Sequence, residues 1–246
     1  TSFMVGVASL VIALALMTGQ IGRPGTGLHP LRGQNNVQGA SDSGLIPMMY
    51  PDYQRVADPA VRAHFAQVWG VPEQALDARP GLTVVQILDA IDRHEVTGMF
   101  IMGENPAMSD PDTQHARKAF AKLEMLVVQD IFLTETACLA DVVLPASAFP
   151  EKAGSFTNTD RTVQLGRRAI GLPGQARQDL WCLVAMAGQL GLDWSHYGAT
   201  PTDCDAAAAA VVEQMRQVMP SIAGVSWARL AREGSVTYPC HTEDEP

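Results

Sequence analysis

Three short apolar runs lie close together in mid-chain: GMFIMG (98–103), EMLVVQD (124–130) and DVVLPA (141–146). Each has the length of a buried strand and is too short for a helix. Between the first two lies PDTQHARKAFAKL (111–123), an amphipathic helical pattern, and between the second and third lies TETACLA (134–140), a helical turn or two. Strands alternating with helices predict an α/β fold, a doubly wound, mostly parallel sheet flanked by helices. Such sheets bind ligands beyond the carboxyl ends of their strands. The segments after the three runs are MGENPAMSD (102–110), QDIFLTETA (129–137) and LPASAFPEKAGSFTNTDR (144–161), all polar and turn-rich. Glu104 and Asp130 fall at strand ends, where a carboxylate either decorates a turn or accepts N–H and O–H donors from a base or ribose. Asp179 in RQDLW (177–181) is either a helix N-terminal acid favoured by the dipole or a further ligand group.

A second feature is GRPGTGLHPLRGQNNVQGASDSG (22–44), which has six glycines and no apolar rhythm. The irregular segment runs on to about Tyr53, far beyond an ordinary connection, and loops of that length are functional or disordered. Its turn residues and low charge argue against disorder. Gly22, Gly25, Gly27 and Gly33 serve as turn punctuation, or let backbone N–H groups approach a ligand. Gln34, Asn35 and Asn36 supply donors and acceptors together, beside a guanidinium, Arg32, expected to be buried. The cluster suits a large polar ligand. It is neither a GxxxxGK[ST] phosphate loop nor a GxGxxG fingerprint. His29 reads as a hydrogen-bonded loop residue. Lys152, Arg161, Arg167 and Arg168 read as solvated charges, with Arg161 the exception to watch.

Around these features the helices are well signposted. DPAVRAHFAQVWG (58–70) has an Asp N-cap, proline next and a stop glycine. TVVQILDAIDRHEV (83–96) is capped by Thr83, QDLWCLVAMAGQLG (178–191) is stopped by Gly191, and CDAAAAAVVEQMRQV (204–218) is helical by propensity. FMVGVASLVIALALM (3–17) is short of the ~18 apolar residues of a membrane span and lacks a basic flank, so a buried helix is expected and no membrane span. The net charge of -9 excludes holding nucleic acid by bulk electrostatics. Cys138, Cys182, Cys204 and Cys240 show no C-x-x-C pair. No zinc or iron–sulfur site within this chain is therefore expected, and scattered thiols point to a reducing, cytoplasmic compartment. The chain starts at Thr1 and closes on YPCHTEDEP, as an internal piece of a longer protein does. No Ser-His-Asp order, HExxH or GxSxG pattern is present; from the residues alone the reading stops at an α/β domain with a long polar ligand loop.

The run TGQIGRPGTGLHPLRGQNNVQGASDSG (18–44), with IMGENPAMSDPD (101–112), VVQDIFLTETACLADVVLPASAFPEKAGSFTNTDRTVQ (127–164) and RQDLW, closely resembles the catalytic subunit of molybdenum- or tungsten-dependent formate dehydrogenases, within the molybdopterin oxidoreductases. The likeness runs from near the start to about Trp194. It implies a bis-molybdopterin guanine dinucleotide cofactor carrying Mo or W, iron–sulfur clusters elsewhere in the full protein, partner subunits passing electrons toward NAD, and formate or carbon dioxide as substrate. Arg32 matches the family arginine that orients the formate carboxylate, which a guanidinium grips bidentately. Gly33 and Gln34 match residues near the pterin. Gly103, Glu104, Asn105, Gln129, Asp130, Thr134, Ser147 and Asp179 match segments contacting one guanine dinucleotide, with Asp179 resembling the carboxylate that reads guanine N1–H and N2–H₂. The resemblance divides the chain into residues 1–80, part of a cofactor-binding domain with the substrate-side loop 22–53; residues 81–195, the guanine-dinucleotide domain; and residues 196–246, a helical segment leading to a further domain.

Two departures qualify it. Ser41 stands where the family usually has Cys, and DSG (42–44) stands for DMG. The family's metal-ligating Cys or selenocysteine followed by His, and its N-terminal cluster cysteines, have no counterpart, so this chain is expected to carry no metal ligand and to be inactive alone. Two other readings stay open: a non-catalytic electron-wiring subunit related to the large subunit of respiratory NADH dehydrogenase, and a nitrate reductase-like enzyme acting on an oxyanion.

Overall fold

A computed structural model describes residues 2–245. The chain opens with helix α1 (Ser2–Met17), followed by a long polar stretch that ends in a short helix, α2 (Val37–Asp42). A two-stranded antiparallel ribbon, β1 (Met49–Tyr50) and β2 (Gln54–Arg55), leads into α3 (Pro59–Trp69) and α4 (Val84–Asp92). These last two form where the sequence places them, for local reasons. Asp58 Oδ1 accepts from Ala60 N at 2.9 Å, Pro59 occupies the first turn, and Gly70 ends α3 at φ 66°. Thr83 and Gln86 close a reciprocal capping box on α4.

The parallel sheet follows: β3 (Gly98–Met102), then α5 (Pro106–Ser109) and α6 (Thr113–Phe120), then β4 (Met125–Asp130) and β5 (Val142–Pro145). The strands lie side by side in sequence order, with Ile101 opposite Val128 and Gln129 opposite Leu144. Helices α4 and α6 pack on this sheet, and Leu88, Ile91, Phe120, Leu126 and Val128 form its buried core. The expected α/β class, a parallel sheet flanked by helices, is what the structure has.

A second sheet lies beyond it. β6 (Gly154–Thr157) and β7 (Thr162–Gly166) form an antiparallel hairpin across the turn at 158–161. After α7 (Asp179–Gln189), α8 (Asp205–Val218) and α9 (Trp227–Glu233), strand β8 (Ser235–Thr237) joins β7. Its core gathers Phe65 from α3, Val163 from β7 and Val218, Leu230, Val236 and Tyr238 from the C-terminal part. That core draws on residues from both sides of the boundaries expected near 80 and 195.

One expectation fails. Helix α1 forms but is not buried: from Gly6 onward every residue except Ala15 is exposed, with Leu10 at 72% and Leu14 at 62%. Its apolar character gives helix without cover, because the two cores close on other elements.

Candidate functional site

The carboxyl ends of β3, β4 and β5 meet at one edge. Gly103 N donates to Gln129 O at 2.9 Å, Ala146 N to Asp130 O at 3.0 Å, and Arg177 N to Pro145 O at 3.0 Å. The last bond carries the segment before α7 alongside β5 and delivers Asp179, the first residue of that helix, to the sheet edge. Gly103 turns the chain there at φ 66°, a conformation glycine adopts without strain.

At this edge Gln129 Nε2 donates to Asp179 Oδ1 at 2.7 Å. Lys152 Nζ reaches Asp179 Oδ2 and donates to the Ser147 carbonyl at 3.3 Å. Gln129 and Ser147 are buried, and Gln129 Oε1 and Ser147 Oγ have no hydrogen-bond partner among the described residues. Most buried polar atoms are paired, so two orphans a few side chains apart mark a place that expects a hydrogen-bonding ligand. The acceptor set of Gln129 Oε1 and the Asp179 carboxylate suits a ligand edge rich in N–H donors. Lys152 balances the carboxylate's charge. In sequence it reads as a solvated charge, and its position five residues after Ser147, in the same polar segment, is the one local signal of its role.

Other predicted residues at this edge spend their oxygens on loop geometry. Asn105 Oδ1 accepts from Thr136 N (3.1 Å) and Thr136 Oγ1 (2.8 Å), and its Nδ2 donates to Glu135 at 2.7 Å. Asn105 thus laces the β3 tip to the β4 loop. Thr134 Oγ1 accepts from Ala137 N at 3.2 Å, and Asp130 Oδ1 accepts from the adjoining Ile131 N at 2.7 Å. These side chains shape the rim.

The glycine-rich loop reaches the same edge through Gln34, whose Nε2 donates to Glu104 Oε1 at 3.3 Å. Behind that contact lies a polar cavity of about 290 Å³ between residues 32–38 and the β6–β7 hairpin. Arg32, Gly33 and Gln34 line it on one side, Thr157 and Asn158 on the other, and Arg32 is the sole charged residue in its wall. Asn36, at φ 57°, anchors the loop by accepting Thr157 N at 2.9 Å. His29 sits against Thr159 Oγ1 at 3.2 Å, a loop contact of the kind expected of it. Arg32 itself is exposed, contrary to expectation; among the described residues its one hydrogen bond is to Ser41 Oγ at 3.4 Å. The guanidinium therefore keeps nearly all its donors free. Among the described residues no group of His, Cys, Asp and Glu is placed to hold a metal ion, and no helix is long and apolar enough to cross a membrane.

Comparison with known proteins identifies the family. The molybdopterin oxidoreductase family matches residues 2–189. An F420-dependent formate dehydrogenase subunit alpha from Methanocaldococcus jannaschii is 42% identical over 247 residues, covering 99% of this chain and 34% of the relative. Formate dehydrogenase H of Escherichia coli is 36% identical over 242 residues, covering 98% and 32%. The chain thus spans about a third of the length of the curated relatives it matches. Acetylene hydratase from Pelobacter acetylenicus shares the fold, with a TM-score of 0.52 at 18% identity over 74% of this chain and 24% of that one. A family match over three quarters of the chain, with sheet tips carrying unpaired buried acceptors, leads to one assignment: the chain belongs to the molybdopterin oxidoreductase family.

Proposed function

We propose that the full-length protein containing this chain is a formate dehydrogenase that interconverts formate and carbon dioxide at a molybdopterin guanine dinucleotide centre. The observation that carries the substrate is the cavity beside Gln34, lined mostly by polar residues and charged only at Arg32. A lone guanidinium with free donors in a neutral polar wall is built for one small anion. The relatives named as formate dehydrogenases supply the anion's identity.

The residues fit the cofactor. The orphaned Gln129 Oε1, the Ser147 hydroxyl and the Asp179 carboxylate would hold the guanine end, and Gly103 and Glu104 would frame it, with Asn105, Asp130 and Thr134 shaping the loops. Gly33 and Gln34 would face the pterin. When bound, the cofactor's Mo or W centre supplies the two-electron redox chemistry. Arg32 holds the formate carboxylate through two parallel N–H···O bonds and fixes where its C–H points. It also stabilises the anionic substrate over neutral carbon dioxide, so the product leaves without breaking an ion pair. Oxidation of formate releases carbon dioxide, one proton and two electrons. The electrons pass through iron–sulfur clusters elsewhere in the full protein and then through partner subunits toward NAD, in a cytoplasmic complex that uses a pair of dinucleotide cofactors.

The test is metal analysis and turnover of the full-length protein. Stoichiometric molybdenum or tungsten together with formate-dependent reduction of NAD supports the proposal. Reduction of F420 alone keeps the formate site and replaces the acceptor, the property carried in the archaeal relatives' names. A metal-free protein overturns it in favour of an electron-wiring subunit, and nitrate reduction without formate oxidation overturns the substrate.

A further inference from the structure

Behind the Arg32 cavity lies a buried carboxylate that the proposed chemistry does not use. Asp42, the last residue of α2, is 6% exposed and forms no salt bridge among the described residues. Its oxygens are met by uncharged donors. Tyr238 OH donates to Oδ2 at 2.6 Å, while Tyr53 OH at 2.9 Å and Gln38 Nε2 at 2.7 Å donate to Oδ1. Gln38 Nε2 also lies 3.3 Å from each tyrosine hydroxyl, which closes the network. A buried carboxyl group is tolerated when its lone pairs are filled in this way. Burial and the adjoining carboxylate push the ionisation of both tyrosines up, so they remain O–H donors across the physiological range.

The network ties together remote parts of the chain. Tyr53 comes from the turn between β1 and β2. Tyr238 follows β8, its N–H donates to Arg161 O at 3.0 Å, and the Arg161 guanidinium lies 5.8 Å from its ring centre. Arg161 holds a left-handed φ of 69° in the hairpin turn, so the arginine singled out in the sequence takes part through its backbone and its stack. The other end of α2 is also fixed, by Asn36 Oδ1 on Thr157 N. In between, α2 presents Gln38 to the cavity and Ser41 Oγ to Arg32 Nη1. A helix of six residues has little stability of its own; its place depends on these two anchors.

We infer that Asp42, held by Tyr53 and Tyr238, is a positioning residue that sets the geometry of the Arg32–Gln38 wall through α2. The inference deepens the reading of this cavity as the formate site, and its kinetic consequence rests on that reading. Loosening the anchor lets the wall drift, and small misplacements of a binding group weaken its grip on the substrate. Arg32 grips the carboxylate before and during reaction, so the loss appears chiefly in KM.

The test uses the cofactor-loaded, full-length enzyme with Asp42→Asn, Tyr238→Phe and the milder Tyr53→Phe, read by kinetics and by amide hydrogen exchange of residues 32–42. Asp42→Asn and Tyr238→Phe are expected to raise KM for formate about tenfold with kcat changed less and cofactor content intact, and to speed exchange in 32–42 but not in the β3–β5 sheet. Introduced into Arg32→Lys, the same changes should move KM by less than about twofold, because both act through one group. A KM effect undiminished in that background overturns the inference, as do unchanged KM and unchanged exchange in the variants that fold; Tyr53→Phe keeps this decidable where the others fail to fold. A wild type that turns over no formate sinks the formate reading instead. The exchange arm then decides alone: faster exchange in 32–42 upholds the positioning role and unchanged exchange ends it.

Discussion

Replacing Arg32 by alanine in the full-length enzyme probes the substrate site most sharply. A charge-assisted hydrogen bond to a carboxylate contributes roughly 1.5–3 kcal/mol, so a bidentate pair contributes roughly 3–6 kcal/mol. Arg32 is exposed to water, which screens the interaction and favours the lower half of that range. At about 1.36 kcal/mol per factor of ten, kcat/KM for formate should fall about a hundred- to a thousandfold. Lysine at position 32 keeps the charge and loses the planar fork, and should recover about a tenth of the wild-type value. The assay is steady-state kinetics with metal and pterin content measured in parallel, because among the described residues Arg32 hydrogen-bonds only Ser41 Oγ, at 3.4 Å, and its loss should leave the fold and the cofactor in place. A kcat/KM within about threefold of wild type in a loaded Arg32→Ala enzyme would refute the assignment; a lysine variant as active as wild type would refute the fork in particular.

Three further outcomes follow from the same geometry. Asp179→Ala should strip the nucleotide end of its carboxylate, lower cofactor retention, and cost about 1–3 kcal/mol in chemical denaturation by stranding Lys152; a fully buried pair would cost more, but these side chains are 23% and 27% exposed. Gly39→Ala would put a Cβ 2.1 Å from Asn36 Oδ1, break the Asn36–Thr157 tie and cost about 1–3 kcal/mol, read from urea midpoints. Asp92 joins α4 to the segment after β3 through His115 Nε2 and Lys122 Nζ, both at 2.7 Å, and its hydrogen bond raises the His115 pKa above 6.5. A raised imidazole pKa stabilises fully below about pH 6.5, and that contribution is lost as pH rises through the folded value; thermal melts should show this loss above pH 6.5, and His115→Asn should abolish it. Lys122 first, and then His115, holds Asp92 below its usual 3.8, so its own contribution persists above that value and fades only in stronger acid.

Much of the sheet and its tips was legible, because local signals and tertiary packing agree there. The apolar runs became β3, β4 and β5, and the caps at Asp58 and Thr83 did what their spacing demands. Helix α2 was hidden, since Asn36 starts it from a left-handed conformation and its last residue is a buried Asp; its stability comes from tyrosines far along the chain, at 53 and 238. The β6–β7–β8 sheet was missed because SFTNTDRTVQ reads as turn-rich, and β8 arrives from beyond residue 230. Burial was misjudged at both ends of the polarity scale. Leu10 and Leu14 lie exposed although they are apolar, and Arg32 is exposed although its flanks suggested enclosure. Residue type fixes what a side chain prefers, whereas cover depends on elements no local pattern announces. The pairing of Lys152 with Asp179, two positions 27 residues apart, belongs to the same class.

A structure of the full-length protein with its cofactor bound tests the central claim most directly. The account predicts one continuous ligand, with a guanine edge against Gln129 Oε1, Ser147 Oγ and Asp179 and its pterin beside Gln34, leaving Arg32 facing the reactive end. A cofactor whose guanine lies away from the β3–β5 edge, or whose metal lies on the far side of the sheet from Arg32, would contradict it.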